Sequence, residues 1–259
     1  MDDKQGLWLY SVIENKGALA VDIMGIHGSS PVCIVEGDLY SAIVSREPLK
    51  KYPLERNVLL THQKINEYIM AKQPVLPVRF ATLASDEDQI KRDVLSNEMR
   101  IKEFKDAFDL THNKNEFGLR ARWKDLDPVF KEISTNNEKV KKAKEKSLEE
   151  RGEKKHLSLI EVGHIVQAAL EEKKTELTHE FEEELKPATF QYKHHKVWGD
   201  VNIFNSSFLV EGAKQPIFDS TINELVGRYE DRIFFKYVGP IPPYNFVEIV
   251  IHFNEEVGR

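Results

Sequence analysis

Histidines and the single cysteine are the residues of this 259-residue sequence best suited to metal binding or nucleophilic chemistry. His194 and His195 are adjacent, and adjacent side chains of a strand point to opposite faces, so this pair cannot converge on one zinc ion. His156 and His164 are eight positions apart, and Glu161 does not complete an H-E-x-x-H motif with them. The spacings therefore predict no metal site.

The cysteine, the carboxylates and the glycine-rich segments do not predict catalysis or cofactor binding either. Cys33 follows an apparent strand start with no neighbouring motif to lower its pKa, so we interpret it as a buried small apolar residue. The acidic run "EFEEELK" (180–186) lies in a helical pattern, where solvent normally surrounds such side chains. The glycines of "GIHGSS" (25–30) do not fit a dinucleotide-binding fingerprint and indicate a loop. We predict a non-enzymatic protein without a cofactor.

Composition and charge restrict the class of protein further. A chain of 259 residues can form two domains of ordinary size, each with its own core. The net charge of −6 and the pI near 5.9 argue against a broad nucleic-acid-binding face. The N-terminus "MDDKQGLWLYSV" is acidic where a signal peptide is basic, and no segment approaches the roughly 18 apolar residues of a membrane span. We expect a soluble, cytoplasmic protein without nucleic-acid or lipid-membrane partners.

The first 112 residues alternate between strand and helix patterns. Strands are predicted at 7–13 and as a hairpin within 31–47, and a helix from Leu54 to about Met70. His62 lies on the apolar stripe of that helix, and we interpret it as a hydrogen-bonded core residue. "VLPVRFATL" (75–83) predicts an edge or bulged strand, because Pro77 within it removes an amide donor. An acidic helix start at 85–88 predicts a helix to about Leu110, which completes an N-terminal α+β sheet domain.

Residues 124–186 predict one or two long amphipathic helices. Residues 139–155 carry eight basic and four acidic side chains, whereas 171–185 carry two basic and seven acidic ones. If Gly152 marks a turn, the second helix has about 30 residues and a length of about 45 Å. Such a helix is longer than a small domain needs for its own core, so part of it is expected to pack elsewhere.

The C-terminal part predicts a second α+β domain. From "NEFGLRARW" (115–123) onward the order is strand, long helical region, two strands, helix and strand, which is typical of a ferredoxin-like sandwich with an enlarged helical insertion. We place the boundary in the polar segment "THNKN" (111–115), and so predict domains at 1–112 and 113–259.

The prolines of "GPIPPYNFVEIVIHF" (239–253) predict a rigid corner that bends the last strand. If the strand after the corner is regular, Val247, Ile249 and Ile251 share an aliphatic face that enters the core. Tyr244 and Phe246 are then the exposed candidates for partner contact, and the alternative role of both rings is to cover the edge of their own domain. Arg79 has two possible roles, either pairing with a buried carboxylate or reaching a partner's carbonyl groups.

Four blocks resemble the gas vesicle protein F/L family (GvpF/GvpL), with a lean to the F members. "HQKINEYIMAKQPVLPVRFATL" (62–83) is similar to a family block in which a helix runs into a "vlPvRFGt" strand, and Ala81 stands where the family usually has glycine. "RYEDRIFFKYVGPIPPYNFV" (228–247) is similar to the late "GP.PPysFv" block. "LIEVGHIVQAALEEKK" (159–174) and "FNSSFLVE" (204–211) match intermediate blocks in order.

The resemblance implies a minor, non-enzymatic gas vesicle protein of two α+β domains that is needed for vesicle formation. It also implies binding to the hydrophobic shell protein GvpA, and contact with other minor gas vesicle proteins, in the vesicle or in the cytoplasm during assembly. On this hypothesis the chain keeps shell subunits soluble and aids nucleation, and the long helical region is a candidate contact surface. The candidate contact residues are Arg79, Phe80, Phe181, Tyr244 and Phe246.

An alternative from another functional class remains open on the sequence alone. Ferredoxin-like domains host many functions, and metabolites often bind between domains, so a cytosolic small-molecule-binding regulatory protein is the second hypothesis.

Overall fold

The computed structural model describes residues 4–28 and 30–253, and these form two compact units. One unit comprises the chain up to Glu116 together with the segment from Pro240 onward, and the other comprises Phe117–Gly239. The fold class is α+β, as predicted, with two antiparallel sheets. The predicted domains differ from these units in the C-terminal segment, which belongs to the first unit and not to the second.

The sheet of the first unit is built around its first strand. That strand, β1, pairs on one side with the hairpin of β2 and β3, which the turn residues around Gly37 predicted. On the other side it pairs with two short strands, β4 and β5, so the predicted strand 75–83 is interrupted. The bounds are Gln5–Glu14 for β1, Val32–Glu36 for β2, Tyr40–Pro48 for β3, Leu76–Pro77 for β4 and Leu83–Ala84 for β5.

Two faces of β1 are buried because helices cover both sides of the sheet. Trp8 and Tyr10 point into a cluster with Ile65 of the first helix, α1 (Arg56–Met70). Leu7 and Leu9 point into the opposite cluster, which the helix α3 (Glu98–Thr111) covers. Exposed Cys33 on β2 corrects the prediction that this thiol is buried, because β2 is an edge strand with one solvent-facing side.

The helical segment after β5 is two helices where the sequence predicted one. α2 (Glu87–Ile90) continues into a π-helical turn (Lys91–Leu95) and ends at Ser96. α3 (Glu98–Thr111) then starts afresh, because the Asn97 side chain accepts hydrogen bonds from the amides of Met99 and Arg100. An asparagine in this role is a strong helix start, so the chain breaks the helix there.

The segment after the proline corner lies in the core of the first unit. Val247, Ile249 and Ile251 are buried, as the alternation predicted, but among Leu7, Leu9 and other residues of the N-terminal sheet. Ile249 forms a parallel bridge with Val78. Alternation predicts which side chains are buried but not which core receives them, and this is why the predicted domain boundary placed the segment wrongly.

The second unit has the predicted strand and helix order and a ferredoxin-like sheet. The sheet order is β7-β8-β6-β9, so the first and third strands of the unit are central. The strand bounds are Lys114–Trp123 for β6, Gln191–His194 for β7, Asn202–Glu211 for β8 and Ile233–Ile241 for β9.

The long helical region between β6 and β7 consists of three helices, of which the last has 33 residues. Gly152 precedes that helix with a φ of 64°, the left-handed conformation that favours glycine, so the predicted turn is confirmed. None of the helices that the structure describes is long and apolar enough to cross a membrane. The helix bounds are Asp127–Asn136 for α4, Glu138–Glu149 for α5, Glu153–Leu185 for α6 and Gln215–Arg228 for α7, with short 3-10 turns at Lys186–Ala188 and Gly212–Lys214.

Candidate partner-binding site

A surface groove of about 1000 Å³ lies on the first unit, between the two proline-containing segments that the sequence singled out. One wall is the loop Arg79–Leu83 with the start of α2. The other wall is the C-terminal segment Val250–Phe253. We call this feature the proline groove, and it contains both backbone edges and apolar side chains.

The first wall is shaped by a turn that interrupts the edge of the sheet. Ala81 adopts a φ of 61°, and the Thr82 hydroxyl donates to the Arg79 carbonyl at 2.7 Å. The Leu9 amide then bonds the Thr82 carbonyl at 2.9 Å, which returns the chain to the sheet at β5. The turn lifts Arg79 and Phe80 out of the strand path and presents them beside the groove.

Ala81→Gly is expected to raise the free energy of unfolding by roughly 0.5–1 kcal/mol, because an alanine at positive φ is strained and glycine is not. The measurement is urea unfolding of the full chain. Ala71→Gly, at a φ of −62°, is the matched control and should give no gain. An equal or lower stability of Ala81→Gly would show that the turn carries no strain.

The second wall is fixed by hydrogen bonds from three directions. The Arg79 amide bonds the Ile249 carbonyl at 3.0 Å, and the Arg100 guanidinium donates to the Val250 carbonyl at 2.9 Å. Upstream, the buried Glu116 carboxylate accepts from the backbone amide of Asn245 at 2.9 Å and from its side-chain amide at 2.5 Å. These bonds make the wall a fixed part of the first unit.

Arg79 and Phe80 are the two predicted site residues that the structure brings together at the groove. The Arg79 side chain is exposed and pairs with no carboxylate of residues 4–28 and 30–253, so the first of its two proposed roles is not observed. The Phe80 ring is half-buried and packs edge-on against Trp8 and His62, with centroid distances of 5.2 Å and 5.7 Å. One face of Phe80 therefore remains at the surface, on a rigid aromatic base.

His62 is the hydrogen-bonded core histidine that the sequence predicted. Its Nδ1 accepts a 3.0 Å hydrogen bond from the Trp8 indole, and its ring is almost fully buried. Burial lowers the pKa of His62 to about 4, and only the contact with the Val78 backbone opposes that shift. The ring is thus neutral and supports the aromatic base of the groove.

The charged residues of the groove have structural roles of their own. The Asp86 carboxylate caps α2 by accepting from the Gln89 amide at 2.8 Å, and this bond is the main cause of the lowered pKa of Asp86. The Arg92 guanidinium binds the neighbouring Asp93 at 2.8 Å. In the described part of the chain, no group of three His, Cys, Asp or Glu side chains could hold a metal ion.

Three of the predicted contact residues are placed differently from the prediction. Phe181 is fully buried in the core of the second unit, against Phe204 and Tyr229. Phe246 is only 9% exposed, and the hydroxyl of half-buried Tyr244 is buried beside Asn66. The prediction failed because residues 244–246 form a turn after the prolines, so the strand alternation assumed there does not apply.

The groove also contains apolar residues that the sequence analysis did not name as contacts. Leu49, at the end of β3, and Phe253, in the C-terminal segment, both line it. Leu49 carries no pattern that separates it from an ordinary surface leucine. Phe253 ends the alternating run from Val247, and that run was the only available signal that the segment lies beside another element.

Comparisons with known proteins agree along nearly the whole chain. The family model described as "Gas vesicle synthesis protein GvpL/GvpF" matches residues 6–248. Gas vesicle protein F of Nostoc sp. (strain PCC 7120 / SAG 25.82 / UTEX 2576) is 21% identical over 250 residues, covering 94% of this chain and 98% of the relative. Gas vesicle protein F of Streptomyces sp. (strain CB03234) is 25% identical over 244 residues, covering 93% and 99%.

Solved structures show the same fold. The crystal structure of the gas vesicle protein GvpF from Anabaena sp. PCC7120 superposes with a TM-score of 0.83 at 20% identity, covering 95% of this chain and 99% of that one. GvpF from Microcystis aeruginosa gives a TM-score of 0.76 at 20% identity, covering 93% and 98%. The family resemblance expected from the proline blocks is confirmed, and the chain belongs to the GvpL/GvpF family of gas vesicle synthesis proteins, with a role in gas vesicle formation.

Proposed function

We propose that this chain binds the gas vesicle shell protein GvpA through the proline groove, keeps it soluble before assembly and helps to nucleate the vesicle. The proposal assigns no bond-making or bond-breaking step. It favours the assembly role over a metabolite-binding regulator, since the chain belongs to a family of gas vesicle proteins. On this proposal the chain acts in the cytoplasm during assembly and at the vesicle itself.

The physical need for such a partner follows from the shell. A protein wall that excludes water requires subunits with large apolar faces, and such faces aggregate unless they are covered before assembly. A covering protein can meet them with apolar side chains and with free backbone groups at a sheet edge. Its own surface must be rigid, so that binding does not first have to order it.

The observation that carries the proposal is the composition of the proline groove. It combines the exposed face of Phe80 with the side chains of Leu49 and Arg79, along a sheet edge that ends in the two-residue strand β5. Its walls are fixed by hydrogen bonds of 2.5–3.0 Å, so the site is formed in advance. On this proposal the Arg79 guanidinium donates hydrogen bonds to the backbone carbonyl groups of a peptide that lies along the sheet edge.

The double variant Arg79→Glu with Leu49→Asp is expected to weaken GvpA binding by about tenfold or more, because it removes a donor and places a charge in the apolar part of the groove. The measurement is co-expression of tagged chain with GvpA, followed by copurification and quantification of the shell protein. The matched control is Arg56→Glu with Leu54→Asp, at exposed positions around the start of α1. That control should retain GvpA.

Three results would contradict the proposal. Equal copurification by the groove variant and the control would exclude the groove as the binding site. If deletion of α5 and the first half of α6 abolished GvpA binding while the groove stayed intact, the long helical region would be the contact surface, as the sequence analysis suggested. Failure of the unmodified chain to retain GvpA would remove the proposed function itself.

A further inference from the structure

The second unit contains a helical hairpin that buries Val140 and Val162 but exposes several of its larger apolar residues. We define the arm as α5 together with α6 up to Gln167. Ser147 and Ser158 are buried in it, and the Ser158 hydroxyl bonds the Glu150 carboxylate. Large aliphatic side chains of the arm are exposed instead, at 77% for Leu148 and about half for Leu159 and Ile160. Burying serine side chains and exposing leucine side chains does not stabilise the arm by itself.

One of the exposed residues, Leu159, continues the stripe by which α6 packs on its own sheet. Leu170, Leu177 and Phe181 of that stripe lie in the core of the second unit. Leu159 lies on the same stripe, about three to six turns nearer the N-terminus, and is 52% exposed. At about 1.5 Å per residue the 33-residue helix is about 50 Å long, so its first part extends past the residues that the core uses.

An exposed tryptophan lies next to this part of α6. The turn between β7 and β8 is held against the helix, because Gln167 donates to the Asp200 carboxylate at 3.2 Å and Lys174 donates to the Gly199 carbonyl at 3.1 Å. Trp198 in that turn is 69% exposed, and its only described ring contact with a cation is Lys196, at 3.9 Å. Large exposed aromatic rings are typical anchors of protein interfaces.

Gly163 opens the helix backbone at the same place. It lies one turn from Gln167 and from Leu159, within a helix, where glycine is less favourable than alanine. A Cβ built on Gly163 meets no atom within 4 Å, so the fold of this chain does not require a glycine there. The missing side chain lets another backbone approach closely.

Charge selects the kind of partner. The arm and its connecting residues, 138–167, carry eight basic and six acidic side chains, and Lys196 adds a further positive charge beside Trp198. Two copies of this face would repel each other, whereas an acidic segment would be attracted. We propose that the exposed face of the arm, with Trp198, binds an amphipathic helix with acidic flanks from another polypeptide, in the helix-in-groove manner. This inference stands on the arm alone and does not depend on the proline groove.

The test uses the full chain and a fluorescent synthetic peptide of about three heptads, with leucine at positions a and d and glutamate on its flanks. Fluorescence anisotropy should show saturable binding that weakens as salt is raised. A peptide with the same leucines and with lysine for glutamate should bind at least about tenfold more weakly. Equal affinity for both peptides, or no binding of the acidic one, overturns the proposal.

Variants locate the binding face. Ile160→Ser and Trp198→Ser are each expected to weaken peptide binding by about tenfold, and Ile217→Ser, at an exposed position on α7, should leave it unchanged. Gly163→Gln should raise the melting temperature, because glutamine favours helix, and yet weaken binding. A variant that melts at a higher temperature and yet binds more weakly cannot owe its weaker binding to unfolding. Unchanged binding by all three arm variants overturns the proposal, as does self-association that Ile160→Ser abolishes, or binding to anionic lipid vesicles in place of the peptide.

Discussion

Phe181→Ala is expected to lower the free energy of unfolding of the second unit by about 3–5 kcal/mol, the range for truncating a large buried aromatic side chain. The ring is fully buried at the centre of an aromatic cluster. It lies edge-on to Phe204 at 5.8 Å and to Tyr229 at 5.5 Å, and it is tilted against Phe235 at 5.5 Å. Alanine would leave a cavity that three packed rings cannot close without losing their own contacts.

The measurement is urea unfolding followed by tryptophan fluorescence and circular dichroism. Phe190→Ala is the matched control, because its ring is half-exposed and its loss should cost far less. The outcome also tests the corrected role of Phe181. If Phe181→Ala were folded normally and yet lost GvpA, the residue would be a contact residue and its assignment to the core would be wrong.

Local patterns predicted most elements of this fold because the signals were local. The hairpin around Gly37, the turn at Gly152 and the helix over 153–185 depend on residues that are close in sequence. The ferredoxin-like sheet order of the second unit follows from the order of its strands and helices, since few arrangements satisfy the connection rules.

The errors concern contacts between distant parts of the chain. Phe181 belongs to the apolar stripe of α6, but a stripe does not indicate how far along the helix the core extends. Tyr244 and Phe246 follow a proline pair whose turn is closed by hydrogen bonds from the amides of Phe246 and Val247 to the Pro243 carbonyl. Such a turn depends on the packing of the whole segment, and alternation cannot predict it.

The candidate site was predictable only in part for the same reason. The first proline block (62–83) contains the wall Arg79–Leu83, whereas the second block (228–247) ends three residues before the wall Val250–Phe253, so sequence similarity identified one wall and only the approach to the other. Leu49 comes from a third segment and has no motif. Ala81 has a positive φ, the conformation that favours glycine, so the turn suits the residue that the family resemblance leads one to expect at this position.

His62 lies below the groove, and the surrounding rings accommodate its imidazole only in the neutral form. The Trp8 indole donates to Nδ1 at 3.0 Å, and the rings of Tyr10 and Phe80 pack at 5.3 Å and 5.7 Å from the imidazole. A proton on Nδ1 would oppose the indole N–H and place a charge among apolar rings. This is the physical cause of a pKa of about 4, in place of the ordinary 6.5.

Acid is therefore expected to destabilise the first unit through this one residue. Because the folded-state pKa of His62 lies below the unfolded value of 6.5, its contribution is complete above that pH and is lost as the pH falls towards 4. Between about pH 7 and about pH 4.5, the loss should be roughly 2–3 kcal/mol of unfolding free energy. Buried Glu47 has a raised pKa through desolvation and acts with the opposite sign, so the unmodified chain alone does not isolate the effect.

His62→Gln isolates it, because the glutamine carbonyl can accept from the Trp8 indole and carries no titratable proton. The difference in unfolding free energy between the unmodified chain and His62→Gln should shrink by roughly 2–3 kcal/mol over the same pH range, while Glu47 contributes equally to both and cancels. Urea titrations at the two pH values provide the measurement. If the difference in unfolding free energy did not depend on pH, the imidazole would already be charged or solvated in the folded chain. The aromatic residues below the proline groove would then not form a rigid, dry support for Phe80.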